Sequence, residues 1–255
     1  MSEHPTRARS GICGYDADTI SIRGKGLTTE IMGRYGFTEL FLLQALGTEP
    51  TRLQVTIVDA VMVTIMEHGL VPSAVVTRLT HYGAPESFQG AVVAGLLGVG
   101  DRYAGTASEC GAVLERLVAV PEPRRADAAV EELRRYRAAK RPVPGFGHPI
   151  HQAVDPRVER LLEIVRDAGA GGEYVRAMYL LQDTLRRELG KPLVTNISAA
   201  MGAAMAEAGI PSGMMRGVVL TARCAGLVGH LFEEMRTPAA PAIWEAAQAA
   251  VDYQP

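Results

Sequence analysis

Apolar residues recur along most of this chain at the spacing of amphipathic helices. The clearest case places four apolar residues at i, i+3, i+4 and i+7, namely Val158, Leu161, Leu162 and Val165. This spacing puts them on one buried helix face. Asp155 is a good N-cap, Pro156 suits the first helical position, and Gly169 can end a helix. The pattern therefore predicts a helix between Asp155 and Gly169.

The same criteria predict several other helices and almost no strands. The predicted helical ranges are about 53–68, 85–97, 173–189, 197–208 and 212–235. Gly90 and Gly95 are expected to break up the second range. Only residues 20–23, followed by a Gly-Lys-Gly turn at 24–26, alternate like a strand that enters a hairpin. The fold class predicted is all-α.

Composition and charge narrow the classes of function. The chain has 255 residues with 47% hydrophobic content, enough for a substantial core. Its formal charge of -2 gives no basic field for nucleic acid or an anionic membrane, so we expect neither as a partner. The apolar stretches at 55–66 and 91–99 are too short to span a bilayer.

The cysteines and the N-terminus indicate the compartment. Cys13, Cys110 and Cys224 are an odd number, widely separated and without metal-ligand spacing. They predict free thiols in a reducing compartment, with packing as their default role and no metal. Residues 1–10 lack the apolar core of a signal peptide. We therefore expect a cytoplasmic soluble protein.

The sequence Gly-Phe-Gly-His at 145–148, followed by Asp-Pro-Arg at 155–157, is the first candidate site. Two glycines let the backbone come close to a ligand. The imidazole of His148 can bind a polarisable oxygen, and the guanidinium of Arg157 can grip a carboxylate. On its own, however, the four-residue pattern is more often a tight turn before a helix.

Other short motifs accompany it and together carry a family resemblance. They are His68-Gly69, Gly209-Ile210-Pro211 and Arg223-x-x-Gly226-x-x-x-His230-x-x-Glu233. In this order, with residues 145–157, they resemble the citrate synthase superfamily. Residues 100–105, Gly-Asp-Arg-Tyr-Ala-Gly, look more like Gly-Asp-Arg-Phe-Gly-Gly of the lyase part of ATP-citrate lyase than like Gly-Pro-Leu-His-Gly-Gly of synthases. The resemblance therefore favours citryl-CoA lyases.

The resemblance implies an architecture. The family has a large helical domain and a small helical domain that closes over the active site. Here residues 1–105 and 200–255 would form the large domain, and residues 106–199 the small, CoA-binding domain. The resemblance also implies a homodimer.

It further implies roles for the substrate-binding residues. His148 would hydrogen-bond the reacting oxygen, Arg157 and Arg223 would bind carboxylate, and His68 would assist them. The alternatives are surface ion pairs for the arginines and a helix cap for His68. Arg223 lies in an apolar helix, where burial without an anionic partner would cost roughly several kcal/mol, so a bound carboxylate is favoured. Whether Arg236 reaches a partner's site across the dimer interface is left open.

A loop that binds CoA is implied as well. The loop whose backbone would contact the adenine comprises Val143, Pro144, Gly145, Phe146 and Gly147. Gln152 stands where synthases often carry Arg, so the phosphate contacts are expected to differ. The basic segment at 121–141 is interpreted as a solvated helix face, with a rim for a phosphorylated cofactor as the alternative. No tightly bound cofactor is expected, because the CoA thioester is itself the substrate.

Two positions depart from the synthase pattern. Tyr103 occupies the position of a synthase histidine that stabilises the acetyl-CoA enolate, and lyases also carry an aromatic residue there. Ser198 occupies the position of the aspartate that handles the proton at the acetyl carbon, and serine is not a carboxylate. Asp101 or Glu109 could replace it, water could, or the chemistry could differ. His230 fits the family pattern, and we expect it to pack within its helix.

The function predicted is a CoA-dependent carbon-carbon lyase resembling citryl-CoA lyase. It would split citryl-CoA, or a related 3-hydroxy-acyl-CoA, into acetyl-CoA and oxaloacetate or a related 2-oxo acid. One alternative is a condensing, citrate synthase-like acyltransferase. The other is a non-catalytic protein that binds CoA or a dicarboxylate.

Overall fold

A computed structural model describes residues 8–101, 105–147, 155–190 and 193–254. Within these ranges the chain is mostly helical, as predicted. Its α-helices are α1 (Phe37–Leu46), α2 (Arg52–Met66), α3 (Pro72–Gly83), α4 (Phe88–Leu97), α5 (Thr106–Val118), α6 (Arg125–Ala138), α7 (Pro156–Asp167), α8 (Glu173–Leu189), α9 (Ile197–Glu207), α10 (Ser212–Glu234) and α11 (Ala240–Ala250).

A small antiparallel sheet precedes the helices. It is formed by β1 (Cys13–Tyr15), β2 (Ile20–Ile22) and β3 (Lys25–Gly26), in the order β1-β2-β3. The predicted hairpin is confirmed, with Ile22 opposite Lys25. β1 was not predicted, because its residues are all exposed and carry no alternation of buried and exposed positions. Leu27–Ile31 then form a π-helical turn.

Helix α7 begins and ends where the sequence indicates. The Asp155 carboxylate accepts a hydrogen bond from the backbone N–H of Arg157 at 3.1 Å, which caps the helix, and Pro156 occupies the first turn. The predicted face is buried at Val158, Leu161 and Val165. The helix therefore holds Arg157 at its N-terminal end, with its apolar face anchored in the core.

Helix α4 corrects one prediction. Residues 88–97 form a single helix that neither Gly90 nor Gly95 interrupts. A Cβ at position 95 would lie 1.9 Å from Oγ1 of Thr77 and 2.9 Å from the carbonyl oxygen of Ser73. Gly95 therefore lets α4 approach α3 closely, which offsets the low helix propensity of glycine.

Helix α9 lies between two groups of buried residues. Ala200, Met201 and Ala204 pack with α1, α2, α7 and α10, whereas Ala199 and Ala203 pack with α5, α6 and α8. Small side chains on both faces allow this close approach from two sides. The second group draws only on positions between 110 and 203, although the domain boundaries given above stay a prediction. In the described part of the chain, no helix is both long and apolar enough to cross a bilayer.

Candidate active site

A cavity of about 500 Å³ lies where the end of α2, the starts of α3, α7 and α9, and the middle of α10 meet. Polar side chains from distant parts of the sequence line it, namely His68, Ser73, Arg157, Asn196, Ser198 and Arg223. The structure thus brings four of the predicted site residues together: His68, Arg157, Ser198 and Arg223. We refer to this space below as the cavity.

Three helix N-termini face the cavity. Pro72 and Ser73 begin α3, Arg157 lies in the first turn of α7, and Asn196 caps α9. The N-terminal end of a helix carries partial positive charge and free backbone N–H groups, so it favours anions. Together with the guanidinium groups, the helix ends make the cavity suited to a negatively charged ligand.

Arg157 is held in position by its neighbour Asp155. Nε of Arg157 donates to one carboxylate oxygen at 3.0 Å and Nη2 donates to the other at 2.8 Å. Asp155 is 1% exposed. This two-point contact fixes the plane of the guanidinium and leaves Nη1 3.4 Å from Nδ1 of His68. Arg157 is therefore aimed by α7 and by its own cap residue.

Arg223 has no such partner. Its side chain lies in the middle of α10 and is 6% exposed. Among the described residues, none forms a hydrogen bond with its buried Nη1. Burial lowers the pKa of Arg223, while the nearby Glu67 carboxylate opposes this shift. Because arginine stays protonated in proteins, the cavity contains a buried positive charge that the described side chains leave unpaired.

His68 lies beside both arginines. Its pKa is lowered, first because partial burial disfavours the charged ring and then because Arg157 and Arg223 repel a further positive charge. A guanidinium only donates hydrogen bonds, so Nδ1 accepts in the contact with Arg157. The proton of the neutral ring is then on Nε2, which can donate to an anionic or carbonyl oxygen.

The Gly-x-Gly loop is attached to the segment that leads into α9. The backbone N–H of Gly147 donates to Val194 at 2.7 Å, and the N–H of Asn196 donates to Gly145 at 2.9 Å. The Asn196 amide also donates to the carbonyl of Gly147 at 3.0 Å. These contacts place the C-terminal end of the loop next to Asn196, which lines the cavity.

The loop glycines serve the protein's own packing. Gly145 has φ +86°, and a Cβ there would lie 2.4 Å from the Cys110 sulfur and 2.6 Å from Cβ of Ala199. Burial raises the pKa of the Cys110 thiol, which agrees with a packing role. Gly147 has φ +91°, and a Cβ there would make only an ordinary van der Waals contact, 3.9 Å from Cδ2 of Leu193. A left-handed backbone is thus required at both glycines, but only Gly145 needs the missing side chain for packing.

The loop residues assigned to CoA are partly committed to internal contacts. Val143, Pro144 and Gly145 are buried, and Phe146 packs against the core beneath α5 and α8. The carbonyls of Gly145 and Gly147 already accept hydrogen bonds from Asn196. Contact of this loop with adenine stays a prediction, and it would have to use the remaining backbone groups.

The proton-handling position shows no replacement carboxylate. Ser198 lines the cavity, but the described residues that line it include no aspartate or glutamate. Asp101 lies outside this lining, where it accepts a hydrogen bond from Arg216 at 2.6 Å. Glu109 also lies outside it and accepts one from Arg141 at 2.5 Å. In this structure, neither candidate carboxylate is placed at the cavity.

Several predicted site residues are not located by the structure or lie elsewhere. His148, Tyr103 and Gln152 fall outside the described ranges, so their roles rest on the sequence. Arg236 is exposed at the C-terminal end of α10, where its Nε donates to the carbonyl of Phe232 at 3.2 Å. It is not part of the cavity of its own chain. A role across a dimer interface stays a prediction.

Sequence reasoning missed a second polar cluster, and it was wrong about His230. Instead of packing within its helix, His230 of α10 bridges Arg78 of α3 and Glu67 at the end of α2. Arg78 is 2% exposed and also contacts Glu233 and Glu234. We call these five residues the Arg78 network. The motif contains both His230 and Glu233, and this could have indicated a polar cluster on α10. Nothing in the sequence indicated Arg78 as their partner.

The chain is similar to known proteins in sequence and in overall fold. The family model described as citrate synthase, C-terminal domain, matches residues 20–244. A citryl-CoA lyase structure from Hydrogenobacter thermophilus is similar, with a TM-score of 0.85 and 27% identity over 97% of this chain and 94% of that one. A comparison with curated proteins finds no significant match.

Two more distant structures share the fold. An ATP citrate lyase from Methanothrix soehngenii, solved with citrate and coenzyme A, has a TM-score of 0.77 and 18% identity. The alignment covers 100% of this chain and 42% of that one. A citrate synthase from Thermotoga maritima has a TM-score of 0.64 and 18% identity, covering 81% of this chain and 55% of that one. At these identities the similarity shows the fold alone.

Proposed function

This chain belongs to the citrate synthase family, and we propose that it is a CoA-dependent carbon-carbon lyase of the citryl-CoA lyase kind. The substrate would be citryl-CoA or a related 3-hydroxy-acyl-CoA with a carboxylate on its acyl part. The products would be acetyl-CoA and oxaloacetate or a related 2-oxo acid. The similarity over nearly the full length of the Hydrogenobacter thermophilus lyase supports this choice over a synthase.

One observation carries the proposal. Arg223 is 6% exposed, and Nη1 of its guanidinium has no partner among the described residues, in a cavity shared with Arg157 and His68. A buried charge without a partner is costly, and a carboxylate supplied by the substrate removes that cost. The helix N-termini at the same place favour the same sign of ligand.

The reaction needs polarisation of one oxygen and stabilisation of one carbanion. The 3-hydroxyl group passes its proton to a base, for which His148 is the candidate by its sequence position. The bond between the carbinol carbon and the α-carbon then breaks, and its electron pair forms the thioester enolate. The enolate then gains a proton at carbon to give acetyl-CoA, so the step is redox neutral. By its sequence position, His148 would hydrogen-bond the reacting oxygen, and a neutral His68 would donate to the oxo acid or its carboxylate.

The protonation of the enolate requires a donor other than the family aspartate. Ser198 lines the cavity at that position, and no described carboxylate joins it there. We propose that a water molecule hydrogen-bonded to Ser198 relays the proton, since the described residues that line the cavity include no carboxylic acid. Asp101 and Glu109, the carboxylates that the sequence offered for this task, lie outside the cavity lining.

A second candidate function follows from the lack of a described carboxylate beside Ser198. If Ser198 has removed turnover, the cavity would still bind a CoA ester or a dicarboxylate, and the chain would be a binding protein. A cytoplasmic location and a homodimer are part of our proposal for either function, and they rest on the cysteine usage and on the family resemblance.

An assay with citryl-CoA tests the lyase. Oxaloacetate release is followed by the oxidation of NADH with malate dehydrogenase, for the wild type and for His148→Ala and Ser198→Asp. We expect the wild type to release oxaloacetate and His148→Ala to lose that activity. Wild-type protein that binds CoA and oxaloacetate without cleavage, and gains cleavage in Ser198→Asp, would favour the binding protein.

A further inference from the structure

The turn that carries His68 is anchored by the carboxylate that precedes it. Oε1 of Glu67 accepts the backbone N–H of His68 at 2.8 Å and that of Gly69 at 2.6 Å. Burial raises the pKa of Glu67, but the hydrogen bonds from His68, His230 and Gly69 outweigh it, so the pKa is lowered overall. The charged carboxylate therefore fixes the backbone from which the His68 ring reaches the cavity.

The same oxygen contacts His230, which determines the proton position on that ring. Nε2 of His230 lies 3.0 Å from Oε1 of Glu67. On the other side of the ring, Nδ1 faces Nε of Arg78 at 3.0 Å and Nη2 at 2.8 Å. Because a guanidinium only donates, Nδ1 must accept. The ring proton is then on Nε2, where it is donated to Glu67.

Arg78 is itself anchored at the far side. Its Nη1 donates to Glu234 at 2.6 Å, and Nη2 contacts Glu233. The other oxygen of Glu234 accepts the backbone N–H groups of Ala239 and Ala240, at 2.9 and 2.8 Å, at the start of α11. A continuous series of hydrogen bonds thus leads from α11 through α10 and α3 to the His68 turn.

Gly226 completes the geometry between the cavity and the network. It lies on α10 between Arg223 and His230, and a Cβ there would lie only 2.0 Å from the carbonyl oxygen of Met66, the last residue of α2. The end of α2 therefore rests directly on the α10 backbone. This close approach brings Glu67 within reach of His230 and His68 within reach of Arg223.

We propose that His230 is a positioning residue, which acts through Glu67 to hold the His68 imidazole against Arg157 and Arg223 in the cavity. The inference rests on the proposed function, since His68 matters only if the cavity holds the oxo acid. It assigns the motif Arg223-x-x-Gly226-x-x-x-His230-x-x-Glu233 two tasks on one helix. Arg223 contacts the ligand, and the other motif residues fix the histidine beside it.

A double-mutant cycle tests the inference in the full chain. The variants are His230→Leu, His68→Ala and their combination, with His230→Gln as the conservative control, because an amide can still accept from Arg78 and donate to Glu67. The readouts are the Kd of oxaloacetate by calorimetry, and kcat and KM for citryl-CoA. Loss of a hydrogen bond to a charged group predicts that His230→Leu weakens oxaloacetate binding about 10- to 100-fold.

The expected result is non-additive. In the His68→Ala background, His230→Leu should change the Kd less than about twofold, and His230→Gln alone should keep most of the wild-type affinity. The positioning role would be overturned if His230→Leu still weakened oxaloacetate binding in full in the His68→Ala background. It would also be overturned if His230→Gln weakened binding as much as His230→Leu. A merely structural role predicts that persistent loss.

One further measurement, together with the wild-type binding and cleavage assays, keeps the result unambiguous. If His230→Leu does not fold, ¹⁵N NMR of the wild type decides, because the proposal requires a protonated Nε2 and an unprotonated Nδ1 on His230, and the opposite tautomer overturns it. Wild type that binds oxaloacetate but cleaves no citryl-CoA contradicts only the lyase. Wild type that cleaves citryl-CoA while the cycle is additive contradicts only the positioning role.

Discussion

Two buried arginines in this molecule have opposite surroundings. Arg78 is 2% exposed, and its guanidinium is paired with His230, Glu233 and Glu234. Arg223 is 6% exposed, yet Nη1 has no partner among the residues that the structure describes. The three partners of Arg78 lie on α10, and Arg223 is itself a residue of α10. A buried charge with its partners built in serves the fold, whereas one left unpaired at a cavity is available to a ligand.

The largest expected difference between the two arginines is in the free energy of unfolding, when each is replaced by methionine. Arg78→Met leaves the carboxylate of Glu234, which is 4% exposed, without its charged partner, so we expect the free energy of unfolding to fall by about 3–5 kcal/mol. Arg223→Met removes an unpaired buried charge, so we expect a change within about 1 kcal/mol, or a gain. Urea denaturation followed by circular dichroism measures both.

Equal losses in the two variants would contradict the comparison. They would mean that Arg223 has a structural partner after all. A small loss in Arg78→Met would mean that the network contributes little to the fold and that Glu234 finds other donors.

Oxaloacetate binding should depend more strongly on Arg223 than on Arg78. Arg223→Met is expected to weaken oxaloacetate binding by about 2–5 kcal/mol, because a buried charge pair with the ligand carboxylate is lost. Isothermal titration calorimetry measures the change. Arg186→Met is the matched control, since Arg186 is exposed and, within the described part of the chain, forms a surface ion pair with Asp183 at 3.6 Å. Unchanged affinity in Arg223→Met would remove the main support for the proposed ligand.

A substitution at the contact between α2 and α10 should have a smaller effect on the free energy of unfolding. Gly226→Ala places a Cβ 2.0 Å from the Met66 carbonyl, so the two helices must separate, and we expect a loss of about 1–3 kcal/mol in unfolding free energy. Gly229→Ala on the same helix meets no atom within 4 Å. It should stabilise the protein by about 0.5–1 kcal/mol through helix propensity. Similar values for both variants would show that the helices tolerate separation at Gly226.

The smallest effect concerns pH. The pKa of His68 is lowered in the folded protein by burial and by Arg157 and Arg223. The unfolded chain, with a pKa of about 6.5, therefore binds the proton more readily, so stability falls as the pH drops through about 6.5. In His68→Asn this part of the loss should disappear. If the free energy of unfolding of the wild type and of His68→Asn changes in parallel between pH 8 and pH 5, Arg157 and Arg223 do not lower the pKa of His68.

The sequence predicted those parts of the fold that depend on local signals. Helix α7 has its cap, its proline and its apolar face within a few residues of one another, and α8 ends at Gly190 with φ +64° as expected. The short β1 carries no buried position, so no periodicity could reveal it. In α4, the prediction failed at Gly95 because packing against α3, which the sequence does not show, decides the need for glycine.

The candidate site divides in the same way. The cavity-lining residues His68, Arg157 and Arg223 were predicted from short motifs of residues that are close in the sequence. The Arg78 network was missed because its contact joins residues 152 positions apart. His230 was misjudged for the same reason, since both of its partners lie on other helices. A side chain whose role is to position another side chain is hard to predict from one sequence, because its partners can be distant along the chain.

A crystal structure of the protein with citrate and CoA would show directly which group pairs with Arg223. We expect a citrate carboxylate oxygen about 2.7–3.2 Å from Nη1 of Arg223, while Arg78 keeps its contacts with His230 and Glu234 unchanged. A citrate bound elsewhere, with Nη1 of Arg223 paired to a group of the protein itself, would contradict this expectation.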